Sequence, residues 1–222
     1  MMNLIALDFS MNKPAMSAYI NNELYFYVWP LNIDSKSETL LKENNVNVCN
    51  RHLGPVESKD STIMTQIHIK RAIELSSIII RDIKSLIYLA HPSTETYLAS
   101  EGLSFGSTGD AALNLAMYKA ILLSDIAQKL NIWNFFTYAP ITIKSTAGCA
   151  KQKENKKENM IDAFRNEIPM HQLMTTIKDN PESLKKKINY ITTIDDIVDS
   201  YFCLKTMHSK LNLNCIPEWQ QK

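Results

Sequence analysis

Two aspartates near the end of the chain are spaced as the ligands of a metal ion could be. Asp196 and Asp199 lie three residues apart in a stretch whose apolar residues recur at helical intervals. On an α-helix, such a pair projects from neighbouring turns of one side. Because two like charges held there repel each other, the pair lowers stability unless a cation or a basic group compensates it.

Two more acids close apolar runs that are typical of buried strands. Asp8 follows the unbroken apolar run of residues 4–7, and Glu101 ends residues 95–101, just before Gly102. A carboxylate at the tip of a central strand is mostly desolvated, and it persists when it is paired or bound to metal. Each acid alone is a weak signal, since Asp commonly caps helices and Glu commonly ends strands.

The elements that must position these acids follow from hydrophobic periodicity. Strands are expected at residues 4–7, 15–20, 24–29, 95–101 and 134–138, with a hairpin turn at Asn21-Asn22. Helices are expected near residues 63–87, 110–130, 154–167, 182–188 and 194–209. The order predicts an α/β fold with a five-stranded mixed sheet, three strands antiparallel and two further strands parallel, flanked by helices.

The stretch from Leu31 to Thr62 shows no clear period. It is polar and rich in Asn, Ser and Lys, so we expect a long loop or a small insertion there. The chain length suits one domain with appendages. We therefore expect a single domain over residues 1–211, carrying the loop or insertion at 31–62, and a C-terminal tail over residues 212–222.

Charge is balanced over the whole chain but not locally. Lys and Arg number 24 against 23 Asp and Glu, which gives no global signature of nucleic-acid binding. Residues 141–190 hold 10 basic and 6 acidic residues, a local excess of +4. Taken alone, such a run would be read as a solvated helical surface.

The cysteines and the apolar runs bear on where the protein acts. The four cysteines are scattered without paired spacing, so we expect reduced thiols and no disulfide framework. The short apolar stretch and early acid of the first residues are not those expected of a signal peptide, and no run approaches the ~18 apolar residues of a membrane span. We expect an intracellular, soluble protein with no membrane partner.

The order of the acids is more informative than any one of them. The ribonuclease H-like nucleases have their acidic residues in a set order along the chain: an Asp closes the first strand, a Glu closes the first strand after a helix, and an Asp-x-x-Asp lies on the last helix. The acids of this chain follow the same order. The chain resembles the RuvC family of Holliday-junction resolvases, in particular its divergent bacteriophage members. Five segments carry the resemblance: Ala6-Leu7-Asp8-Phe9-Ser10, Glu101-Gly102-Leu103-Ser104-Phe105-Gly106-Ser107, Pro140-Ile141-Thr142-Ile143-Lys144, Lys156-Lys157-Glu158-Asn159-Met160-Ile161 and Asp196-Ile197-Val198-Asp199-Ser200.

The resemblance implies a ribonuclease H-like fold and a metal-dependent, structure-selective DNA endonuclease. Branched DNA would be its substrate, the active form would be a homodimer, and a phage-encoded member would act in the cytoplasm of the host cell. Two Mg²⁺ ions, with Mn²⁺ as a substitute, would be held by four carboxylates for phosphodiester hydrolysis. These catalytic ligands would be Asp8, Glu101, Asp196 and Asp199.

The resemblance also implies residues that contact DNA. Lys144 and Lys157 are the first basic candidates for the phosphate backbone near the scissile bond, followed by Lys153 and Lys156. Phe105 is the counterpart of an aromatic residue that stacks at the junction.

Several alternatives stay open on the sequence alone. Glu95 would point to the same sheet face as Glu101 and is its rival, and Asp195 could replace a member of the helical pair. The same fold could serve a flap, fork or single-strand nuclease, an inactive DNA-binding relative, or an α/β binding protein whose acids are caps and salt-bridge partners. An actin-like ATPase is disfavoured, because residues 9–12 lack the glycine that would let the backbone approach phosphate.

Overall fold

The computed structural model describes residues 2–53, 60–90, 94–102, 109–150, 156–167 and 189–211. The strands are β1 (Met2–Asp8), β2 (Ala15–Ile20), β3 (Glu23–Val28), β4 (Val46–Val48), β5 (Glu95–Glu101) and β6 (Asn134–Tyr138). The helices are α1 (Ser35–Glu43), α2 (Ser61–Tyr88), α3 (Asp110–Leu130), α4 (Pro140–Thr146), α5 (Lys156–Glu167) and α6 (Asn189–Lys210). The helix expected at residues 182–188 and the tail at 212–222 lie outside the described residues, so the proposed domain boundary stays a prediction.

The strands form one mixed sheet in the order β4-β3-β2-β1-β5-β6. Strands β1, β2 and β3 pair antiparallel, while β5 pairs parallel with β1 and β6 parallel with β5. This arrangement confirms the predicted α/β class and its mixed sheet. The sheet has six strands rather than five, because the short β4 adds to β3 in parallel.

The turn between β2 and β3 has the predicted hairpin form. Asn21 and Asn22 both adopt positive φ, at 53° and 65°, and Ile20 pairs with Glu23 across the turn. Two consecutive residues with positive φ form a turn whose twist matches that of the flanking strands. The first three strands therefore follow one another directly in the sheet.

Strand β1 is buried on both faces, as its apolar run predicts. Leu4 and Ala6 pack into a core that is closed by α6, whereas Ile5 and Leu7 pack into the core beneath α2 and α3. Side chains alternate between the faces of a strand. Asp8, at the end of the alternation, therefore lies on the α6 side of the sheet.

The stretch at 31–62 is more regular than a loop. Its described part contains α1, which Asp34 caps by accepting a 2.9 Å hydrogen bond from the Ser37 amide, and the strand β4. Helix α2 begins at Ser61, two residues before the expected start, because Asp60 caps it. A short helix, α4, also begins at Pro140, in a stretch where no helix was expected.

Three of the four cysteines lie in the described part of the chain. Cys49, Cys149 and Cys203 are free thiols, and Cys215 lies outside the described residues. In the part of the chain that the structure describes, no helix combines the length and the apolar content needed to cross a membrane.

Candidate active site

The parallel pairing of β1 and β5 brings the first two acids together. Leu7 lies opposite Ser100 in the register, so the next residues, Asp8 and Glu101, end side by side at the same edge of the sheet. Their carboxyl groups share a hydrogen bond. Both side chains are half-buried, which leaves them accessible from that edge.

Helix α6 is fixed on the sheet by a buried pair of serines. The Ser17 hydroxyl on β2 lies 2.7 Å from the Ser200 hydroxyl on α6, and Ser200 also donates to the Ile197 carbonyl at 2.8 Å. Both serines are fully buried. Apolar residues of α6 on either side of this contact pack into the core. These contacts fix the rotational orientation of the helix about its own axis.

In this orientation, the two aspartates of α6 face the ends of β1 and β5. Asp196 and Asp199 are half-buried, and both carboxylates act electrostatically on Asp8. The structure therefore brings together all four acids that the sequence singled out: two from strand ends and two from one helix. They come from segments nearly 200 residues apart in the chain.

The other three acids destabilise the charged form of Asp8. Burial raises the pKa of Asp8 well above its ordinary value, and the negative charges of Asp196, Asp199 and Glu101 raise it further. Burial also raises the pKa of Glu101, against the opposing effects of Lys144, the Asp8 hydrogen bond and Lys119. A bound cation would remove this repulsion, because it favours the ionised form of every carboxylate around it.

The donor set fits a hard divalent cation. Carboxylate oxygens are the ligands that Mg²⁺ and Mn²⁺ take in proteins. All four carboxylates are half-buried, and three of them raise the pKa of the fourth, Asp8. Among the described residues, no three His, Cys, Asp or Glu side chains are already arranged closely enough to hold a metal ion. The assignment of a metal site therefore depends on the chemistry and charge of the carboxylates rather than on a preformed cage.

The rival glutamate lies at the other end of β5. Glu95 pairs with Met2 in the register, and its carboxylate accepts hydrogen bonds from Tyr97 at 2.6 Å and Asn134 at 3.0 Å. Six strand residues separate it from Glu101, which is roughly 20 Å. Glu95 is therefore part of the opposite sheet edge. Asp195 is buried on α6 beside the helical pair, so its part as a ligand stays open.

Two cations approach the acids, and only one was expected. Lys144, on α4, acts electrostatically on Glu101, and its contact with DNA stays a prediction. Lys119, on α3, donates a hydrogen bond to the backbone carbonyl of Glu101. Lys119 could not be predicted from the sequence, because it lies in an ordinary helical stretch and its partner is a main-chain atom.

The loop after Asp8 is held by an arginine that the sequence also did not reveal. Arg51 is 7% exposed, and its guanidinium donates to the carbonyls of Trp29 at 2.8 Å, Met11 at 2.9 Å and Asn12 at 3.1 Å. Its position in the polar stretch at 31–62 gave no signal. The described part of that stretch thus supports the loop that leaves the acidic edge.

The other expected DNA contacts lie beyond what the structure describes. Phe105 and Lys153 fall outside the described residues, and so do the side chains of Lys156 and Lys157, whose backbone begins α5. Their roles stay predictions. Ser10, near the acids, accepts a 2.9 Å hydrogen bond from the Lys13 amide within the loop.

Comparison with known proteins gives a structural likeness without a sequence match. No protein-family model and no curated protein matches the sequence. Thermus thermophilus RuvC has a similar structure, with a TM-score of 0.51 and 9% identity over 95% of this chain and 97% of that one. The same protein in complex with a Holliday junction substrate gives 0.49 and 8%, covering 95% and 96% of the two chains.

The yeast mitochondrial Holliday junction resolvase Ydc2 gives a TM-score of 0.47 and 11% identity, over 98% of this chain and 82% of that one. The likeness to Thermus thermophilus RuvC spans nearly the full length of both chains. Together with the mixed sheet and its helical layers, it shows that this protein has the ribonuclease H-like fold of RuvC.

Proposed function

We propose that this protein is a metal-dependent DNA endonuclease that cleaves branched DNA, as a Holliday-junction resolvase does. The observation that carries the proposal is the meeting of Asp8, Glu101, Asp196 and Asp199 at one sheet edge, where burial and repulsion raise the pKa of Asp8. The RuvC-like fold supports the choice of DNA as substrate, and the resemblance of the sequence motifs supports the branched form.

Each acid has a role that follows from its place. Asp8 is acted on by the other three carboxylates, so it is the one suited to be shared between two cations. Glu101 lies on one side of it, and Asp196 and Asp199 approach from α6. Two divalent cations bound there would stabilise the attacking and leaving oxygens of a phosphodiester displacement and activate the water.

Lys144 supplies positive charge at the same edge. Its charge lowers the pKa of Glu101, which supports a role in attracting the phosphate of a bound strand to the acids. A lysine at such a position neutralises backbone charge and orients the strand without reading its sequence. We propose the same kind of contact for Lys153, Lys156 and Lys157, and stacking on a junction base for Phe105. We also propose a homodimer, because a resolvase makes one cut in each of two strands.

Cleavage of labelled DNA tests the proposal. A synthetic four-way junction, a matched duplex, a flap and a single strand are incubated with Mg²⁺, Mn²⁺ or EDTA. The proteins are the wild type, Asp8→Asn and Glu95→Gln, the last of which alters a carboxylate at the far end of β5. We expect paired, metal-dependent nicks at the junction that Asp8→Asn loses and Glu95→Gln keeps.

The other outcomes identify what is wrong. Cleavage of flaps or single strands in place of junctions would keep the active site and change the substrate. Binding without cleavage in any metal would indicate an inactive DNA-binding protein. Equal activity of Asp8→Asn and the wild type would remove the carboxylates from the mechanism.

A further inference from the structure

Lys119 reaches the acidic edge from the opposite layer of the fold. Its helix, α3, buries Tyr118, Leu122 and Ile126 in the core on the far side of the sheet from α6. The Lys119 side chain passes the end of β5, and its ammonium donates to the Glu101 carbonyl. The cation is therefore attached to the main chain of the residue that supplies one of the four carboxylates.

The surroundings of this ammonium are acidic on both sides. Burial lowers the pKa of Lys119, while Cys203, Glu101 and Asp8 raise it. In return, Lys119 lowers the pKa of Glu101 and opposes the rise in the pKa of Cys203, a buried thiol on α6. The amine thus lies within electrostatic range of both strand-end acids and of the helix that carries the other two.

The geometry distinguishes Lys119 from Lys144. Lys144 lies on a short helix outside the sheet and is suited to meet a phosphate from solvent. The Lys119 ammonium is fixed by a backbone carbonyl at the base of the site. Burial destabilises the charged form of a lysine. A half-buried ammonium therefore stabilises the protein only where neighbouring negative charges compensate for its desolvation.

We propose that Lys119 is a positioning residue that serves as the resident counter-cation of the acidic site. It anchors the end of β5 through the Glu101 carbonyl, and it offsets the carboxylate charge while no metal is bound. Incoming metal ions then meet its positive charge, so Lys119 weakens metal binding while it stabilises the metal-free protein. This inference rests on the proposed function, since it requires the carboxylates to bind metal.

Mn²⁺ binding without DNA provides a test that does not depend on cleavage. Free Mn²⁺ is measured by electron paramagnetic resonance during titration of the wild type, Lys119→Met, Lys119→Arg and Lys129→Met. Lys129 lies on the same helix and pairs with Asp125 at the surface at 3.0 Å, so it is the matched control. Thermal unfolding of each protein is measured in EDTA and in saturating Mn²⁺.

We expect Lys119→Met to bind Mn²⁺ roughly tenfold more tightly than the wild type, because one positive charge near the ion has been removed. The same variant should have a lower Tm in EDTA and a larger rise in Tm on adding Mn²⁺, since tighter binding stabilises the folded state more. Lys119→Arg, which keeps the charge, should bind Mn²⁺ within about twofold of the wild type. Lys129→Met should bind Mn²⁺ with the affinity of the wild type.

A role in packing alone would give a different pattern. Lys119→Met would then lower Tm equally in EDTA and in Mn²⁺, with an unchanged or weaker Mn²⁺ affinity, and that result would overturn the inference while leaving the proposed function intact. A wild type that binds no Mn²⁺ would overturn both, because the acids would not form a metal site.

Discussion

Asp8 is the residue at which stability and the proposed activity oppose each other. Its carboxylate is surrounded by three others, and burial adds to their effect on its pKa. A site that binds metal needs negative charge held close together, and that charge destabilises the protein whenever the metal is absent.

Replacement of Asp8 by asparagine should therefore stabilise the metal-free protein and abolish cleavage. The amide keeps the shape of the side chain and removes one of four repelling charges. We expect Tm in EDTA to rise by about 2–5 °C, measured by differential scanning calorimetry. Glu95→Gln serves as the control, because it removes a carboxylate at the far end of the neighbouring strand, β5. A fall in the Tm of Asp8→Asn would show that the repulsion has been overestimated.

Lys144 can be separated from the acids by its effect on DNA binding. Lys144→Ala should weaken binding to junctions of any sequence and lower the slope of log K against log salt by about 1, because one phosphate contact is lost. Fluorescence anisotropy at several salt concentrations measures this slope, with Lys129→Ala as the surface control. An unchanged slope would place the DNA elsewhere.

Residue types explain which of these side chains could be found from the sequence. The four acids could be identified because each one ends an apolar run or lies on an apolar helix. A charge in such surroundings is costly unless a partner or a metal compensates it. Lys119 and Arg51 act through backbone carbonyls of distant segments. No spacing in the sequence records such a contact, because every residue offers the same carbonyl.

At the level of elements, the site depends on how α6 lies on the sheet. The Ser17–Ser200 contact is buried and lies next to the turn that carries Asp196 and Asp199. A hydroxyl left without its partner inside the protein is costly, so this pair fixes the helix more strongly than its size suggests.

Ser200→Ala should lower the free energy of unfolding by about 1–2 kcal/mol and reduce the rate of cleavage, because the helical pair is held less firmly. Urea unfolding and junction cleavage measure the two effects. Ser77→Ala is the matched control, since Ser77 is an exposed helical serine that donates to its own helix at Ile73. Equal behaviour of the two variants would show that the buried contact does not hold α6.

The long elements were predictable and the short ones were not. Residues 110–130 match α3 as observed, because many apolar residues specify this 21-residue helix. Strand β4 has three residues, too few to show alternation, and α1 is only nine residues long with a polar composition. Helix α4 was also not predicted, although Pro140 occupies its first turn, where the missing N–H of proline removes no helical hydrogen bond.

For the whole molecule, the dependence of stability on pH combines two opposite contributions. The acidic edge has raised carboxylate pKa values, so it favours folding as pH falls. His208, on α6, is 7% exposed, and burial lowers its pKa below 6.5. The unfolded chain then takes up the proton first, so this group reduces stability as pH falls below about 6.5.

His208→Gln should remove the second contribution and leave the first. We expect the Tm difference between variant and wild type to shift in favour of the variant from about pH 8 to about pH 5.5. Thermal unfolding in EDTA at both pH values measures it, with the exposed His52→Gln as the control. A Tm difference that does not change with pH would mean that His208 stays unprotonated in both states or charged in both.

The place of α6 in the chain has a consequence for biosynthesis. Asp8 and Glu101 leave the ribosome well before Asp196 and Asp199, and the helix that carries the last two is the final element of the described structure. A nascent chain therefore contains only two of the four carboxylates of the site, Asp8 and Glu101, until translation has reached Asp196 and Asp199. Under the proposed function, an unfinished polypeptide would lack the complete metal site, and the order of the segments alone would prevent truncated products from cutting DNA.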